Sequence, residues 1–199
     1  MRTIVNVMGI FAALTLSASL MLPGTAAAEN CYNNSNANLV RNGGFEGGSQ
    51  YNVSGWTVEW DHTVDPEVFE ETSHPHSGSQ DLAMGTIEAP NDIVQRIRGT
   101  TGGKIYTVCF WLYSSPNPTA GVTTFEVLWN NVPVLTLTNS GNFTYQYLSL
   151  NVLAQGNKRD FLRFRERNKQ GFYYLDDVAV QECTGCGLGA EANPLKYKE

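Results

Sequence analysis

The sequence lacks most of the features by which enzymes and nucleic-acid-binding proteins are recognised. It contains no Gly-x-Ser-x-Gly nucleophile elbow and no phosphate-binding glycine loop. Its formal net charge is −6, from 13 Lys and Arg against 19 Asp and Glu. It therefore offers little of the basic surface that phosphate backbones require. These absences predict a protein that is not an enzyme and binds no nucleic acid.

Side chains that could catalyse a reaction are also scarce. The chain has three histidines, His62, His74 and His76. The last two flank a proline in a loop, and their surroundings predict no role as metal ligand or base. The adjacent acids Glu70 and Glu71 have the chemistry of a glycosidase pair. Neighbouring acids in an acidic loop are more simply explained as a solvated surface.

Long apolar runs are absent after residue 28, so nothing there is long enough to cross a bilayer. Before that point, Arg2, an apolar stretch over 4–22 and three alanines at 26–28 form the pattern of a secretory signal peptide. We therefore expect residues 1–28 to be removed and the protein to be secreted without insertion into a membrane.

Cysteines are few but even in number: Cys31, Cys109, Cys183 and Cys186. An even count in a secreted protein favours disulfides. The Cys-x-x-Cys spacing at 183–186 also suits zinc or redox chemistry, but no second such pair and no His-x-x-x-His accompanies it. Three pairings are possible. Cys31 and Cys183 flank the predicted strands, and they could be bridged if the ends of the domain meet.

Helical periodicity and internal repeats are absent as well. Several segments instead alternate apolar and polar residues, which is the pattern of β-strands. About ten short strands predict an all-β fold, a two-sheet antiparallel β-sandwich of the jelly-roll kind. The clearest strand is 105–113, with one face formed by Tyr106, Val108, Phe110 and Leu112 and the other by Thr107, Cys109, Trp111 and Tyr113. Further strands are predicted at 58–60, 81–84, 93–98, 123–129, 132–137, 145–152, 160–165 and 173–180.

The stretches outside the predicted strands set the bounds of the predicted domain. Residues 29–37 form a polar lead-in, 38–183 the β-sandwich domain and 184–199 a flexible tail. Residues 64–80 are predicted to be an acidic loop. Trp56 and Trp129 are predicted to lie in the core.

Two acidic stretches lie at opposite ends of this domain. Residues 38–46 form a predicted short strand that breaks at two glycines and presents Glu46. The strand at 173–180 carries Asp176 and Asp177 within an apolar run. A carboxylate is costly to bury unless it is paired, hydrogen-bonded or bound to a metal. The pattern therefore predicts a structural calcium site that joins the two ends of the domain.

Taken in order, several short motifs resemble one known group of proteins. They are Asn38-Leu-Val-x-Asn-Gly-Gly-Phe-Glu46, Gly55-Trp56, His76-Ser-Gly78, Ile93-Val-Gln95, Tyr106-x-Val-x-Phe-Trp111 and Tyr174-Leu-Asp-Asp-Val178. Together they resemble the carbohydrate-binding modules of the cellulose- and xylan-binding type (families four, nine and twenty-two). These modules belong to the galactose-binding-like jelly rolls. The resemblance runs from about residue 38 to residue 182.

The resemblance implies two five-stranded antiparallel sheets and a structural Ca²⁺ ion. By position, Glu46 and Asp176 match the family's carboxylate ligands, while Gly44 and residues 77–80 would contribute backbone oxygens. Asp177 is the less expected ligand, because alternation along a strand turns its side chain to the other face.

In the family, sugars lie in a groove on the concave sheet or at a loop-built site at one end. Trp111 and Tyr113 share the non-core face of their strand and are the candidate floor of such a groove. Arg163 and Arg165 project from the non-core face of a later strand and could donate to hydroxyls. Trp60 could form a wall at one end.

The sequence therefore predicts a secreted, non-catalytic protein that binds a polysaccharide or glycan and contains a structural calcium. The alternative is an extracellular structural or adhesive protein that uses the same fold for protein–protein contacts. An exposed apolar patch of interface size would favour that alternative.

Overall fold

The computed structural model describes residues 38–49, 52–60, 67–86, 90–115, 122–168, 171–184 and 186. The predicted signal peptide 1–28 and lead-in 29–37 lie outside this part of the chain, as does most of the predicted tail 184–199. The described residues form strands and loops but no helix, and hence no apolar helix of membrane-spanning length.

Ten strands are present among the described residues. They are β1 (Thr57–Glu59), β2 (Glu67–Glu71), β3 (Asp81–Gly85), β4 (Asn91–Ile97), β5 (Ile105–Ser115), β6 (Thr124–Trp129), β7 (Val132–Thr138), β8 (Phe143–Leu153), β9 (Asp160–Arg167) and β10 (Phe172–Glu182). Strand β2 corrects the prediction of a loop over 64–80. Its short acidic sequence becomes a strand because it pairs along its length with β3.

The strands form two antiparallel sheets of five. The first sheet has the order β1-β4-β9-β6-β7, and the second has the order β2-β3-β10-β5-β8. The predicted two-sheet antiparallel sandwich is confirmed. Every strand has an inner face toward the other sheet and an outer face away from it. A strand side chain that points away from the core therefore lies on one of two opposite outer faces of the sandwich.

The core lies between the sheets. The predicted inner face of β5 is confirmed, since Tyr106, Val108, Phe110 and Leu112 are all buried there. Trp56 and Trp129 are buried as predicted. Phe164 of the first sheet meets Phe110 of the second edge-on, with ring centroids 5.2 Å apart. Each large apolar side chain buried in this way contributes about 1.5–3 kcal/mol to stability.

The segment 38–46 is not the regular strand that its sequence predicts. It runs irregularly along the edge of β10, beyond the point where β3 ends. The amide of Val178 donates to the carbonyl of Gly43 at 2.9 Å, and the Asn38 side chain bonds to the backbone of Val178 and Val180. The two ends of the domain therefore meet.

The disulfide that the sequence suggested as one option is not formed. Cys183 is bonded to Cys186, three residues away, so a bridge from Cys31 to Cys183 is wrong. Cys109 is also disulfide-bonded. Cys31 itself lies outside the described residues.

Candidate functional site

A β-bulge sets the geometry of the acidic residues on β10. The pairing of β10 with β5 shifts register between Asp176 and Ala179, and Asp177 takes a φ of 53°. The prediction that Asp177 faces away from Asp176 is therefore wrong, because the bulge breaks the alternation of side chains. His76 contacts both acids: its amide donates to Asp176 Oδ2 at 2.9 Å, and its Nδ1 lies 2.7 Å from Asp177 Oδ2.

Gly44 lies beside the side chains of Glu46, Asp176 and Asp177. A methyl group added to Gly44 would lie 3.8 Å from Glu46 Cγ and 3.9 Å from Oδ1 of both Asp176 and Asp177. The structure thus places Gly44 beside the side chains of Glu46, Asp176 and Asp177. Among the described residues, the ligand atoms that lie within 4.8 Å of one another belong to His76, Asp176 and Asp177, and the predicted ligand Glu46 is not in that group. We call Gly44 and the three acids the acidic centre.

Backbone amides of the loop between β2 and β3 satisfy these carboxylates. Asp176 Oδ2 accepts two of them, at 2.9 and 3.0 Å, and Glu46 Oε1 accepts two more, at 2.7 and 3.2 Å. The donors are the N–H groups of His76, Ser77, Ser79 and Gln80. The sequence predicted that residues 77–80 would present carbonyl oxygens, whereas these hydrogen bonds are made by their N–H groups.

Burial disfavours the ionised form of Asp176. Its side chain is fully buried, and this burial raises its pKa to about 7; the N–H of Ser77 lowers the pKa, and the neighbouring charge of Asp177 raises it. A cation beside two buried carboxylates would remove that penalty. The oxygens of Asp176 and Asp177 suit a hard cation such as Ca²⁺, whereas the imidazole of His76 in the same group suits it less.

The outer face of the second sheet holds Trp111 and Tyr113, as their strand period predicted. Two imidazoles from the β2–β3 loop already stack on these rings. His76 lies parallel to Trp111 with ring centroids 3.9 Å apart, and His74 stacks on Tyr113 at 5.5 Å. A pyranose would need the ring face that each histidine covers. No role was predicted for these histidines from the sequence, and their spacing around Pro75 was the available signal.

The two arginines lie on the opposite side of the sandwich. Arg163 and Arg165 project from β9 on the outer face of the first sheet, so they share no groove with the rings of β5. Arg165 makes two hydrogen bonds to Asp92, at 2.8 and 3.0 Å. Arg163 bonds Glu59 at 2.8 Å and also contacts Asp92. These ion pairs fix both guanidinium groups on the sheet.

A depression of about 360 Å³ lies over these ion pairs. It is lined by Glu59, Trp60, Pro90, Asp92, Arg163 and Arg165. We call it the tryptophan depression. The structure therefore brings Trp60, at the end of β1, to the two arginines predicted to bind sugar.

A second depression of about 290 Å³ adjoins the first at Glu59. It is lined by Arg41, Gly55, Thr57, Glu59, Val94, Gln95, Arg96, Arg98 and Phe161. We call it the arginine depression, and the two together the first-sheet groove. Sequence reasoning missed its three arginines. Two of them, Arg96 and Arg98, are two residues apart at the end of the predicted strand 93–98. This spacing places both side chains on one face of the strand, and it was the signal available in the sequence.

No protein-family model matches the chain, and no curated protein is similar to it in sequence. Solved structures do share its fold. A family 61 carbohydrate-binding module in complex with β-1,4-galactotriose superposes with a TM-score of 0.52 at 17% identity, over 73% of this chain and 99% of the other. The xylan-binding domain CBM22-1 of Xyn10C from Paenibacillus barcinonensis gives 0.51 at 12% identity, over 72% and 93%.

A third similar structure is the enzymatically active domain of tailspike protein 4 from bacteriophage CBA120. Its TM-score is 0.51 at 17% identity, over 74% of this chain but 22% of the other. At such identities the likeness is one of fold, so the expected jelly-roll fold is confirmed, while the ligand must be argued from the site.

Proposed function

We propose that this chain, a jelly roll of the kind found in carbohydrate-binding modules, is a non-catalytic module whose glycan lies in the first-sheet groove. The observation that carries the proposal is the position of Trp60 beside Arg163 and Arg165 in one depression. An aromatic ring next to anchored polar groups is the arrangement that recognises the apolar face and the hydroxyls of a sugar.

The chemistry of the groove matches a polyhydroxylated ligand. Hydroxyls donate as well as accept hydrogen bonds, and the groove offers both guanidinium donors and carboxylate acceptors. Asp92 and Glu59 already hold Arg163 and Arg165 in place. Because little side-chain freedom is then lost on binding, each hydrogen bond to the sugar contributes more to affinity.

The first-sheet groove is a better site than the outer face of the second sheet. On the second sheet, His74 and His76 cover the ring faces of Tyr113 and Trp111. Sugar stacking on those rings stays a prediction, and it requires the β2–β3 loop to move away.

Binding to insoluble galactan, xylan and cellulose tests the proposal, with Trp60→Ala compared against Trp111→Ala. We expect Trp60→Ala to lower affinity about tenfold, the loss of roughly 1.4 kcal/mol, and Trp111→Ala to leave it unchanged. The reverse result would move the site to the second sheet. Failure of the folded protein to bind any glycan, soluble or insoluble, would contradict the proposed function.

Calcium at the acidic centre is part of the same proposal. Glu46, Asp176 and Asp177 would hold the ion, and its charge would tie the segment 38–46 to β10. The support is the pair of buried carboxylates of Asp176 and Asp177 beside Gly44, with the side chain of Glu46 next to the same glycine. His76 is the less suitable ligand because Ca²⁺ prefers oxygen to imidazole nitrogen.

We also propose that the protein is secreted. The signal-peptide pattern at 1–28 supports this, as does the disulfide between Cys183 and Cys186, because disulfides persist in oxidising compartments.

An adhesive or structural role has less support. In the described part of the chain, the large apolar side chains that are exposed are Val122, Val132 and Leu153. Val122 precedes β6 and Val132 begins β7 at the far end of that hairpin, so these two do not form one patch. Scattered exposed apolar residues are normal on a protein surface.

A further inference from the structure

We infer that the glycan bound in the first-sheet groove is acidic, and that its carboxylate groups occupy the arginine depression. The ligand class is a uronate-containing polysaccharide. This inference rests on the proposed function and narrows it, since it adds the chemical class of the ligand to the place where it binds.

The arginine depression is positively charged. Three guanidinium groups line it, those of Arg41, Arg96 and Arg98, and the one carboxylate in its lining belongs to Glu59. Glu59 is already paired with Arg163. Within the described residues none of the three arginines forms an ion pair. A cluster of like charges repels itself and attracts a counter-anion, here in a chain whose net charge is −6.

A buried polar side chain holds Arg41 in position. Gln95 is 2% exposed. Its Oε1 accepts from the Arg41 amide at 2.8 Å, and its Nε2 donates to the carbonyls of Arg41 and Gly55 at 2.9 and 3.0 Å. Gly55 has a φ of +84°, and a side chain there would crowd the Arg41 carbonyl at 3.2 Å. The backbone of Arg41 is therefore fixed by an element of the sandwich itself.

An aromatic ring holds the side chain of Arg96 in place. Its guanidinium lies over the ring of Phe161, 5.1 Å from the centroid. This cation–π contact restrains the plane of the group, whose N–H donors can still reach a ligand. A planar fork of donors matches the two oxygens of a carboxylate. Two oxygens of a sulfate ester fit the same fork, so a sulfated polymer is the competitor that the test must separate from the uronates.

The groove can serve both parts of such a ligand at once. Because the two depressions adjoin at Glu59, one sugar can lie against Trp60 while an acidic sugar of the same chain reaches the arginines. A polymer of uronic acids, or a neutral backbone with uronate branches, satisfies both ends of the groove.

The test uses the full secreted chain and two acidic polysaccharides, polygalacturonate and glucuronoxylan. Each is compared with its own carboxyl-reduced form, which keeps the sugar backbone and loses the charge. We expect the reduced polymers to bind roughly tenfold more weakly, and binding of the acidic polymers to weaken as salt is raised. Equal binding of both forms would overturn the inference and keep the proposed function. Binding to neither these polymers nor galactan, xylan and cellulose would overturn both.

Dextran sulfate and single-stranded DNA distinguish carboxylate recognition from attraction of any polyanion. Binding of either that is tighter than binding of the uronates would overturn the assignment. Weaker binding of both would support it.

Variants locate the effect. Arg98→Gln and Arg41→Gln should lower affinity for the acidic polymers by a larger factor than affinity for the reduced polymers. Arg98→Lys keeps the charge but loses the planar fork, and we expect an intermediate loss. The matched control is Lys104→Gln, since Lys104 pairs with Glu182 and does not line the groove. Circular dichroism checks that each variant is folded. Arginine variants that behave like the control would overturn the inference.

Discussion

Asp81 begins β3 directly opposite Glu71 on β2. It is fully buried, and this burial raises the pKa of its carboxyl to about 8, although the hydroxyl of Tyr145, which donates to Oδ2 at 2.8 Å, lowers that pKa. The nearby Glu71 raises it further. Asp81 is thus mostly protonated at neutral pH, so the folded protein holds a proton that the unfolded chain releases.

This proton makes stability depend on pH. The pKa of Asp81 in the fold lies above its ordinary value of 3.8, so its contribution is fully present below about pH 4 and is lost as pH rises toward 8. For one proton the slope is about 1.4 kcal/mol per pH unit. We expect Asp81→Asn to flatten this decline in urea unfolding experiments with EDTA. Glu182→Gln, at an exposed carboxylate, is the control. A slope in Asp81→Asn equal to that of the wild type would contradict the assignment.

At the residue scale, the sequence predicted what local patterns determine. It predicted Glu46 and Asp176 as ligands of one ion, and this stays a prediction; the structure shows both carboxylates accepting hydrogen bonds from amides of the β2–β3 loop. It misplaced Asp177, because a bulge leaves no mark in an alternating pattern. It placed Trp111 on the correct face but could not show that His76 lies on the ring, since that contact joins residues far apart in the chain.

At the scale of elements, β10 organises the second sheet. It pairs with β3 and β5, and the segment 38–46 takes the edge that β3 leaves. This packing leaves no room beside Gly43, where an added methyl group would lie 2.0 Å from the carbonyl oxygen of Val178. We expect Gly43→Ala to lower the free energy of unfolding by about 1–3 kcal/mol, the usual cost of overpacking.

Gly47→Ala is the matched control for that substitution. The nearest atom to its added methyl group is Ser54 Cβ at 3.9 Å, an ordinary contact. Urea unfolding of both variants measures the difference. Equal stabilities would show that the segment 38–46 does not approach β10 as closely as described.

The loop between β2 and β3 was the element that sequence reasoning described least well. Its acidic composition predicted a solvated loop, whereas it supplies amides to the acidic centre and imidazoles to the rings of β5. Strand β2 before it was missed because Val68 and Phe69 are adjacent and form no alternating pattern. Both roles come from tertiary pairing, which a single sequence does not display.

For the whole molecule, calcium is expected to appear as a gain in thermal stability. An ion that binds only the folded state contributes about 2.7 kcal/mol at one hundred times its Kd, which raises Tm by several degrees. We expect EDTA to lower the Tm of the wild type and to leave that of Asp176→Asn unchanged. Mg²⁺ added at the same concentration is the control for ionic strength. A wild-type Tm that is the same with EDTA and with calcium would contradict the calcium proposal.

The overall architecture was predictable because most of the strands are short segments separated by turn residues, with no helical period between them. The positions of the residues proposed to bind sugar were less predictable. Trp111 and Arg163 each carry the pattern of an outward-facing residue, but the pattern does not say which sheet a strand joins. The structure places them on opposite faces, and only then does Trp60 emerge as the ring that accompanies the arginines.

The contact between the two ends of the domain also has a mechanical consequence. The segment 38–46 runs antiparallel to β10, with bonds from Leu39 to Val180 and from Val178 to Gly43. The chain therefore enters and leaves at neighbouring points, and tension applied across Asn38 and Glu182 would act across these hydrogen bonds. They would break one after another, as in unzipping, and not together, as in shear. Under flow or traction, this domain should open first at its own ends while the first-sheet groove remains intact.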